Sequence, residues 1–212
     1  MTATRSTKTV TTVERLREII NAPAPDSGVR RKQLAFIDQH ARNFIARSPF
    51  ALLSTASAAG RCDVSPRGDG PGFVKVLDDM TLIVPDRPGN RRLDSMENII
   101  ANPHAGLLFL IPNVEETLRV NGRATITEDR DLLAPMEMKG KAPTLGVIIE
   151  VEELFFHCAR AFRRAELWQP ETWIDRSELP TLGKIMADQL KLGNQMVDEI
   201  DAGLDRANKN LY

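Results

Sequence analysis

The spacing of apolar positions first predicts two helices. Apolar residues recur at helical spacing in "TVERLREII" and again in "RRKQLAFIDQHARNFIARS". Thr11 is the predicted N-cap of the first helix, and Ser48-Pro49 ends the second. Two prolines and a glycine in "NAPAPDSG" separate them. We expect no regular structure in the first ten residues, which are rich in Thr, Ser and Lys.

The middle of the chain changes to short runs with a period near two, interrupted by one helix, "NRRLDSMENIIANP". Short strands this close together favour an antiparallel meander or barrel over βαβ units. The fold class is therefore mainly β with helices (α+β). The predicted strands are "FALLSTAS", "RCDVS", "FVKVL", "TLIVP", "HAGLLFLI", "TLRVNGRATIT" and "TLGVIIEVEEL".

Helical spacing returns in the last quarter. "FFHCARAFRRAELW" predicts one helix and "LPTLGKIMADQLKLGNQMVDEIDAGL" a longer one with an apolar stripe. The pattern divides the chain into a helical extension over 1–47, a β domain over 48–168 and a second helical extension over 169–212.

Composition narrows the function classes. The net charge is -1 and the pI near 6.3, so neither a general nucleic-acid binder nor an anionic-membrane binder is indicated. The first residues lack the apolar core of a secretory signal, and no run is long enough to span a bilayer. We expect a cytoplasmic protein. Cys62 and Cys158 lie too far apart for a disulfide framework or zinc pattern and are expected to be buried, so we predict no metal.

The segment "PDRPGNRR" is the first candidate for chemistry. It joins a predicted strand to a predicted helix, where free N–H groups and the helix dipole attract anions. Asn90 is the predicted N-cap, which places Arg91 and Arg92 in the first turn. Two arginines at a positive helix end suggest a bound phosphate. The alternative is a solvated pair, or pairing with Asp86 or Asp94.

Two further features have both a functional and a structural interpretation. In "SPRGDGPGF", Arg67 and Asp69 could contact a ligand, or could form a surface pair in a tight loop. Arg160, Arg164 and Trp168 recur every four residues on a predicted helix. They could cover a ligand, or the tryptophan could pack the helix while the arginines are solvated. No residue is identified as catalytic.

The order of these pieces resembles the pyridoxamine 5'-phosphate oxidase-like family of FMN-binding split barrels, over residues 48–168. Asn90-Arg91-Arg92 is similar to the family's phosphate clamp, "NPHAGLLF" to its "NPRVSLLF" strand and "LRVNGRA" to its "VxGxA" strand. "EVEELFFHCARAFRRAELW" is similar to an uncharacterised flavin-nucleotide-binding subgroup. The resemblance implies a six-stranded antiparallel split β-barrel and a homodimer, with FMN at the interface between the subunits.

The resemblance also implies which residues contact FMN. Arg91 and Arg92 would hold the phosphate, and residues 84–87 would run along the flavin ring. Arg119 would come from the partner subunit. The full set of implied cofactor-binding residues is Arg67, Lys75, Val84, Pro85, Asp86, Arg87, Asn90, Arg91, Arg92, Thr117, Arg119 and Trp168.

The function implied is an FMN-dependent oxidoreductase acting on a small molecule that the sequence does not specify. The chain ends "DRANKNLY", without the basic, histidine-containing tail that holds the substrate phosphate in pyridoxamine phosphate oxidases, so a vitamin B6 substrate is disfavoured. A non-catalytic flavin-nucleotide sensor, carrier or store is the alternative. A scaffold that has lost its flavin is a third hypothesis, disfavoured by the arginine clamp.

Overall fold

The computed structural model describes residues 8–212, and the chain divides between Leu34 and Ala35 into two compact units. The first unit contains helices α1 (Val13–Ile19) and α2 (Gly28–Arg31). Thr12, one residue after the predicted cap, accepts a hydrogen bond from the Arg15 N–H. Residues 1–7, part of the segment expected to lack regular structure, lie outside the described residues.

The predicted helix over "RRKQLAFIDQHARNFIARS" was wrong in its extent. Within this stretch the second unit contains only α3 (Gln39–Ile45). Asp38 caps α3 by accepting from the Ala41 N–H at 2.8 Å. The Ile37 N–H donates to the Asp79 carbonyl oxygen at 2.7 Å. This donor is therefore unavailable to a helix, and Ile37 is buried.

Seven strands form one sheet in the order β2-β1-β5-β6-β7-β4-β3, and every neighbouring pair is antiparallel. Each strand falls on one of the seven predicted runs, which confirms an antiparallel α+β fold. The six strands implied by the resemblance are one fewer than those observed. The strands are β1 (Phe50–Ala56), β2 (Cys62–Gly68), β3 (Lys75–Val76), β4 (Thr81–Pro85), β5 (His104–Leu110), β6 (Thr117–Thr127) and β7 (Gly146–His157).

The core lies on one face of the central strands, where apolar residues alternate with polar ones. Leu53 of β1, Phe109 of β5 and Val120 of β6 are all fully buried. The β6–β7 ladder is the longest and contains a bulge between Asn121 and Gly122. A Cβ at Gly122 would stand 1.9 Å from the Glu150 carbonyl oxygen, so only glycine fits the bulge.

Strand β7 continues through His157, so it includes the first residues of the helix predicted over "FFHCARAFRRAELW". That helix is reduced to α6, and Glu166 ends it in the left-handed conformation. The remaining helices before the last quarter are α4 (Asp94–Ala101), α5 (Arg130–Leu133) with a 3₁₀ turn at Ala134–Met136, and α6 (Arg160–Ala165).

The long predicted C-terminal helix is two helices, α7 (Leu182–Gln189) and α8 (Val197–Lys209). Lys191 and Gly193, in the segment that joins α7 to α8, both have positive φ and therefore interrupt the helix. 3₁₀ turns occur at Pro170–Thr172, Arg176–Glu178 and Asn194–Met196.

Two expectations from composition have different outcomes. Within residues 8–212, no helix combines the length and apolar character needed to cross a bilayer. The prediction of buried cysteines was wrong, since Cys62 and Cys158 are both exposed. Cys62 is at the start of edge strand β2, and Cys158 follows β7.

Candidate functional site

A cavity of about 560 Å³ lies beside the end of β4 and the start of α4. This volume falls within the range of small-molecule sites. Its walls come from four separated segments of the chain. The lining residues are Asp63, Val64, Ser65, Pro66, Arg67, Asp86, Arg87, Pro88, Gly89, Asn90, Arg91, Arg92, Leu93, Asp94, Ser95, Met96, Lys141, Ala142, Pro143, Thr144 and Tyr212.

We call residues 86–93 the arginine loop. The prediction that Asn90 caps the helix was wrong, because α4 begins at Asp94 and Leu93 is its N-cap. Asn90 instead accepts a hydrogen bond from the Arg92 N–H through its side-chain oxygen, at 3.1 Å. Arg91 and Arg92 therefore precede the helix and do not lie in its first turn.

The arginine loop has a backbone that side chains rarely adopt. Arg91 has φ 57° and Leu93 has φ 64°, both in the left-handed region. Leu93 has no side chain that can cap α4, so the N–H groups of the first turn lack a side-chain acceptor there. Ser95 and Met96 of that turn line the cavity. Strained backbone beside uncapped N–H groups is typical of ligand sites.

The two arginines of the predicted phosphate clamp differ in their partners. Arg92 donates to Asp94, with Nε 2.7 Å from Oδ2. That hydrogen bond is the main cause of the lowered pKa of Asp94. Arg91 makes no hydrogen bond or ion pair with any described residue. It is therefore the guanidinium at the cavity that is available to an external anion.

Arg67 builds the floor of the cavity. Its Nη1 lies 3.1 Å from Asp86 Oδ1 and its Nη2 3.2 Å from Ser95 Oγ. Ser95 donates in turn to Asp63 at 2.6 Å. These bonds join β2, the arginine loop and α4. Arg67 therefore lies at the same cavity as the arginine loop, and its contact with a flavin stays a prediction.

Arg87 is held by Asp69 and by a main-chain oxygen. Its Nε donates to Asp69 Oδ2 at 2.6 Å, and its Nη2 donates to the Met136 carbonyl oxygen at 2.7 Å. The other oxygen of Asp69 accepts from the Gly70 N–H and from Tyr212 Oη. Desolvation would raise the pKa of Asp69, but these hydrogen bonds and the Arg87 charge together lower it.

The charges that line the cavity favour an anion. Five cationic side chains face three carboxylates, so the lining has an excess of positive charge. This local excess contrasts with the near-neutral chain. The cations are Arg67, Arg87, Arg91, Arg92 and Lys141, and the carboxylates are Asp63, Asp86 and Asp94.

Three predicted site residues, Val84, Pro85 and Lys75, do not line the cavity. Val84 and Pro85 are buried at the end of β4, where they pair with Val147 and Gly146 of β7. They fix the start of the arginine loop. Lys75 lies on edge strand β3 and donates from Nζ to the Gly72 carbonyl oxygen at 2.9 Å.

Thr117 and Arg119 lie on β6, away from this cavity. Arg119 lines a separate shallow depression of about 690 Å³ on the sheet. Its Nη2 donates to Glu153 Oε1 at 2.7 Å, and its Cζ lies 4.2 Å from the Phe155 ring centroid. Its Nε is buried and has no hydrogen-bond partner from Lys8 to Tyr212. Thr117 is buried and pairs with His157.

Trp168 lies at a third place. Its Nε1 donates to the Val114 carbonyl oxygen at 2.9 Å, and it lines an open cavity of about 500 Å³ with Arg163. The predicted shared face of Arg160, Arg164 and Trp168 does not form on one helix, because α6 ends at Ala165.

Fifteen of the 21 residues that line the cavity were not among the predicted contacts, and two of these, Lys141 and Tyr212, carry polar groups into it. Both lie far from the arginine loop along the chain, and neither occurs in a motif. Sequence reasoning did identify Asp69 as a possible contact, through the Arg-Gly-Asp loop. Across the described part of the chain, no group of three or more His, Cys, Asp or Glu side chains could hold a metal ion.

The family model of pyridoxamine 5'-phosphate oxidase matches residues 37–158, more than half of the chain. This match covers the whole sheet and the arginine loop. The chain therefore belongs to the pyridoxamine 5'-phosphate oxidase family. No curated protein was found to match it.

Several solved structures are similar to this chain. HupZ from Group A Streptococcus is 22% identical with a TM-score of 0.47, covering 57% of this chain and 93% of its own. An FMN-binding protein from Syntrophomonas wolfei is 11% identical with a TM-score of 0.44, covering 56% and 84%. HutZ, the heme storage protein of Vibrio cholerae, is 15% identical with a TM-score of 0.40, covering 56% and 93%.

Proposed function

We propose that the cavity binds FMN, with its phosphate at the arginine loop. The observation that carries this proposal is Arg91, a guanidinium that has no partner among residues 8–212, held in a left-handed conformation beside a helix start that has no side-chain cap. Membership of the pyridoxamine 5'-phosphate oxidase family supports a flavin as the occupant.

The residues present fit a phosphate group. A phosphate monoester carries about -1.5 to -2 charges at neutral pH, and the cavity lining has an excess of positive charge. Arg91 would bind it directly. Arg92 would bind it by sharing or leaving Asp94, which is an exposed and therefore inexpensive exchange. Asn90 keeps the loop in shape by accepting from the Arg92 N–H.

The flavin ring is assigned to the rest of the cavity. In this proposal Val84, Pro85, Asp86 and Arg87 present backbone along the ring, and Arg67 contacts it from the floor. FMN would supply a ring that accepts and returns a hydride. The protein binds the phosphate, orients the ring and limits access of water.

The remaining predicted contacts require a second subunit. Lys75, Thr117, Arg119 and Trp168 do not line this chain's cavity. We propose a homodimer in which they approach the partner's flavin. The split-barrel form of the sheet, six-stranded in the family pattern, and the helical extensions over 1–47 and 169–212 belong to this same proposal, with 48–168 as the FMN-binding domain.

We propose an FMN-dependent oxidoreductase with a small-molecule substrate, acting in the cytoplasm, where reduced nicotinamide nucleotides are available. A non-catalytic flavin sensor, carrier or store is the second candidate. It is favoured by one observation: the three carboxylates that line the cavity, Asp63, Asp86 and Asp94, each accept a hydrogen bond from a neighbouring side chain, so none of them is a free general base.

The first experiment measures binding. The purified chain is titrated with FMN, riboflavin and a deazaflavin cofactor, and flavin fluorescence and sedimentation are followed. We expect FMN to bind more tightly than riboflavin, to a dimer. Equal affinity for FMN and riboflavin would contradict the phosphate assignment, and a monomer with bound FMN would contradict the shared cleft.

The second experiment separates the two candidate functions. The FMN-loaded protein is mixed with reduced nicotinamide nucleotides in a stopped-flow instrument, and the flavin absorbance is followed through reduction and reoxidation. An oxidoreductase is expected to show both steps at rates well above those of free FMN. Rates equal to those of free FMN would favour the carrier or store.

A further inference from the structure

The segment after α8 reaches the cavity. Helix α8 ends at Lys209, and Tyr212 lines the cavity, where its ring lies close to Arg87 of the arginine loop. Two hydrogen bonds hold it there. Tyr212 Oη donates to Asp69 Oδ1 at 2.6 Å, and Lys141 Nζ donates to the Tyr212 main-chain oxygen at 2.5 Å.

The Tyr212 side chain is coupled to the arginine loop through one carboxylate. Asp69 accepts from Tyr212 with one oxygen and from Arg87 with the other, and its side chain is only 2% exposed. Arg87 belongs to the loop that contains Arg91. A shift of Tyr212 therefore removes one hydrogen bond from Asp69, the carboxylate that holds Arg87.

Cations surround the Tyr212 ring. The Arg87 guanidinium lies 5.7 Å and Lys139 Nζ 5.2 Å from the ring centroid. The hydrogen bond to Asp69 is the main cause of the raised pKa of Tyr212, so the phenol stays protonated near neutral pH and acts as a donor.

We propose that Tyr212 is a positioning residue of the FMN site: it closes one wall of the cavity and, through Asp69, holds Arg87 and the arginine loop in the shape that retains FMN. This inference rests on the proposed FMN site and goes beyond it, because it assigns a role in ligand retention to the segment after α8.

The arrangement predicts an effect on release. Residues 210–212 lie outside any helix or strand, and the two hydrogen bonds are their anchors at the cavity. FMN cannot leave past this wall until the Tyr212–Asp69 bond opens. Removing that bond should speed dissociation, whereas the phosphate contact of Arg91 remains.

The first test does not involve FMN. Tyr212 is the only tyrosine in the chain, so the tyrosinate absorbance reports this side chain alone. In the free protein, the pKa of Tyr212 should lie above the ordinary value, and Asp69→Asn should lower it. An ordinary pKa in the wild type that Asp69→Asn leaves unchanged would overturn the proposed link.

The second test measures FMN affinity and dissociation rate for the wild type, Tyr212→Phe and Tyr212→Ala. Tyr212→Phe keeps the ring and removes one hydrogen bond to a charged acceptor, so we expect about tenfold faster release. Tyr212→Ala should release FMN faster still. Trp173→Phe is the matched control, because it removes the bond from Nε1 to the Leu167 oxygen on an exposed ring outside the cavity.

The outcomes distinguish this inference from the proposed function. Wild-type protein that binds FMN, with both Tyr212 variants releasing it at the wild-type rate, would overturn the role of Tyr212 and leave the FMN site standing. Failure of the wild type to bind FMN would overturn the proposed function and this inference with it. FMN binding should also shift the titration of Tyr212, which a role in fold stability alone would not produce.

Discussion

Two arginine-bearing segments of this chain are similar in sequence and different in structure. Residues 86–93 and residues 160–168 both place several arginines close together near a predicted helix. The first segment forms the wall of a cavity and contains Arg91, which has no partner in the part of the chain that the structure describes. The second forms a short helix whose Arg163 is paired with Glu115 at 2.7 Å and is mostly exposed.

The difference shows what makes an arginine cluster a candidate site. Around Arg91 the backbone is left-handed, the adjoining helix lacks a side-chain cap, and the buried ion pair of Arg87 with Asp69 fixes the loop. Around Arg163 there is an ordinary helix and a surface ion pair, which contributes little. Conformation and partners, more than the number of arginines, separate the two segments.

The largest expected effect is on the anchor of the arginine loop. Asp69→Ala leaves Arg87, whose side chain is 15% exposed, without its carboxylate. Breaking a buried pair in this way should lower the free energy of unfolding by about 3 kcal/mol. Denaturant unfolding measures this change in free energy. The matched control is Glu115→Ala, which removes the partner of Arg163. A loss as small as that of the control would remove the contrast between the segments.

The Asp69 carboxylate, which accepts hydrogen bonds from Tyr212, Gly70 and Arg87, should also make stability depend on pH. The pKa of Asp69 is lowered in the folded protein from its ordinary 3.8. The contribution of ionised Asp69 to the free energy of unfolding is therefore complete above about pH 4. It is lost as the pH falls through the lower pKa of the folded protein. Unfolding measured between neutral and acidic pH should show a steeper loss for the wild type than for Asp69→Asn. Parallel curves would show that Asp69 does not titrate differently on folding.

A smaller effect is expected at the ligand. Arg91→Ala should weaken FMN by about ten- to a hundredfold, which corresponds to roughly 1.5–3 kcal/mol for one charge-assisted bond. Riboflavin, which has no phosphate, should be unaffected. Arg92→Ala should weaken FMN binding less than Arg91→Ala does, because Arg92 already has Asp94 as a partner.

Fluorescence titration checks the effect on FMN, with Arg163→Ala as the matched control in the other segment. Equal losses for Arg91→Ala and Arg163→Ala would show that the cluster around Arg91 is not special. Equal weakening of FMN and riboflavin would place Arg91 away from the phosphate.

The smallest expected effect belongs to Trp168. Trp168→Phe removes the hydrogen bond from Nε1 to the Val114 oxygen, which should cost about 1 kcal/mol of stability. Thermal unfolding measures this. If Trp168 also contacts the partner's flavin, FMN affinity falls in the dimer; if it only packs α6, affinity is unchanged.

The sheet was well predicted from the sequence because alternation along a strand is a local signal. All seven predicted runs overlap a strand of the sheet, although β2 and β7 each continue three residues beyond the predicted run. Helix ends were predicted less well. The predicted helix began at Arg30, but α3 begins only after its N-cap, Asp38. The N-cap of α4 is Leu93, in a left-handed conformation that a leucine rarely adopts.

The site was predicted in part for the same reason. The arginine loop and Arg67 lie in one continuous stretch with distinctive residues, so they were found. Tyr212 and Lys141 reach the cavity only through the tertiary fold, and a tyrosine after a helix carries no local signal. Trp168 was placed on a helical face that a left-handed residue, Glu166, prevents from forming.

The cavity draws its walls from residues 63–67, 86–96, 141–144 and 212. Segments so distant along the chain meet only after the long-range strand pairs have formed, which is a slow part of folding for such topologies. The cavity is therefore complete only once those distant segments have come together. A ligand that recognises the cavity binds only the folded protein and stabilises that state by mass action. Uptake of a flavin would therefore report that folding is complete.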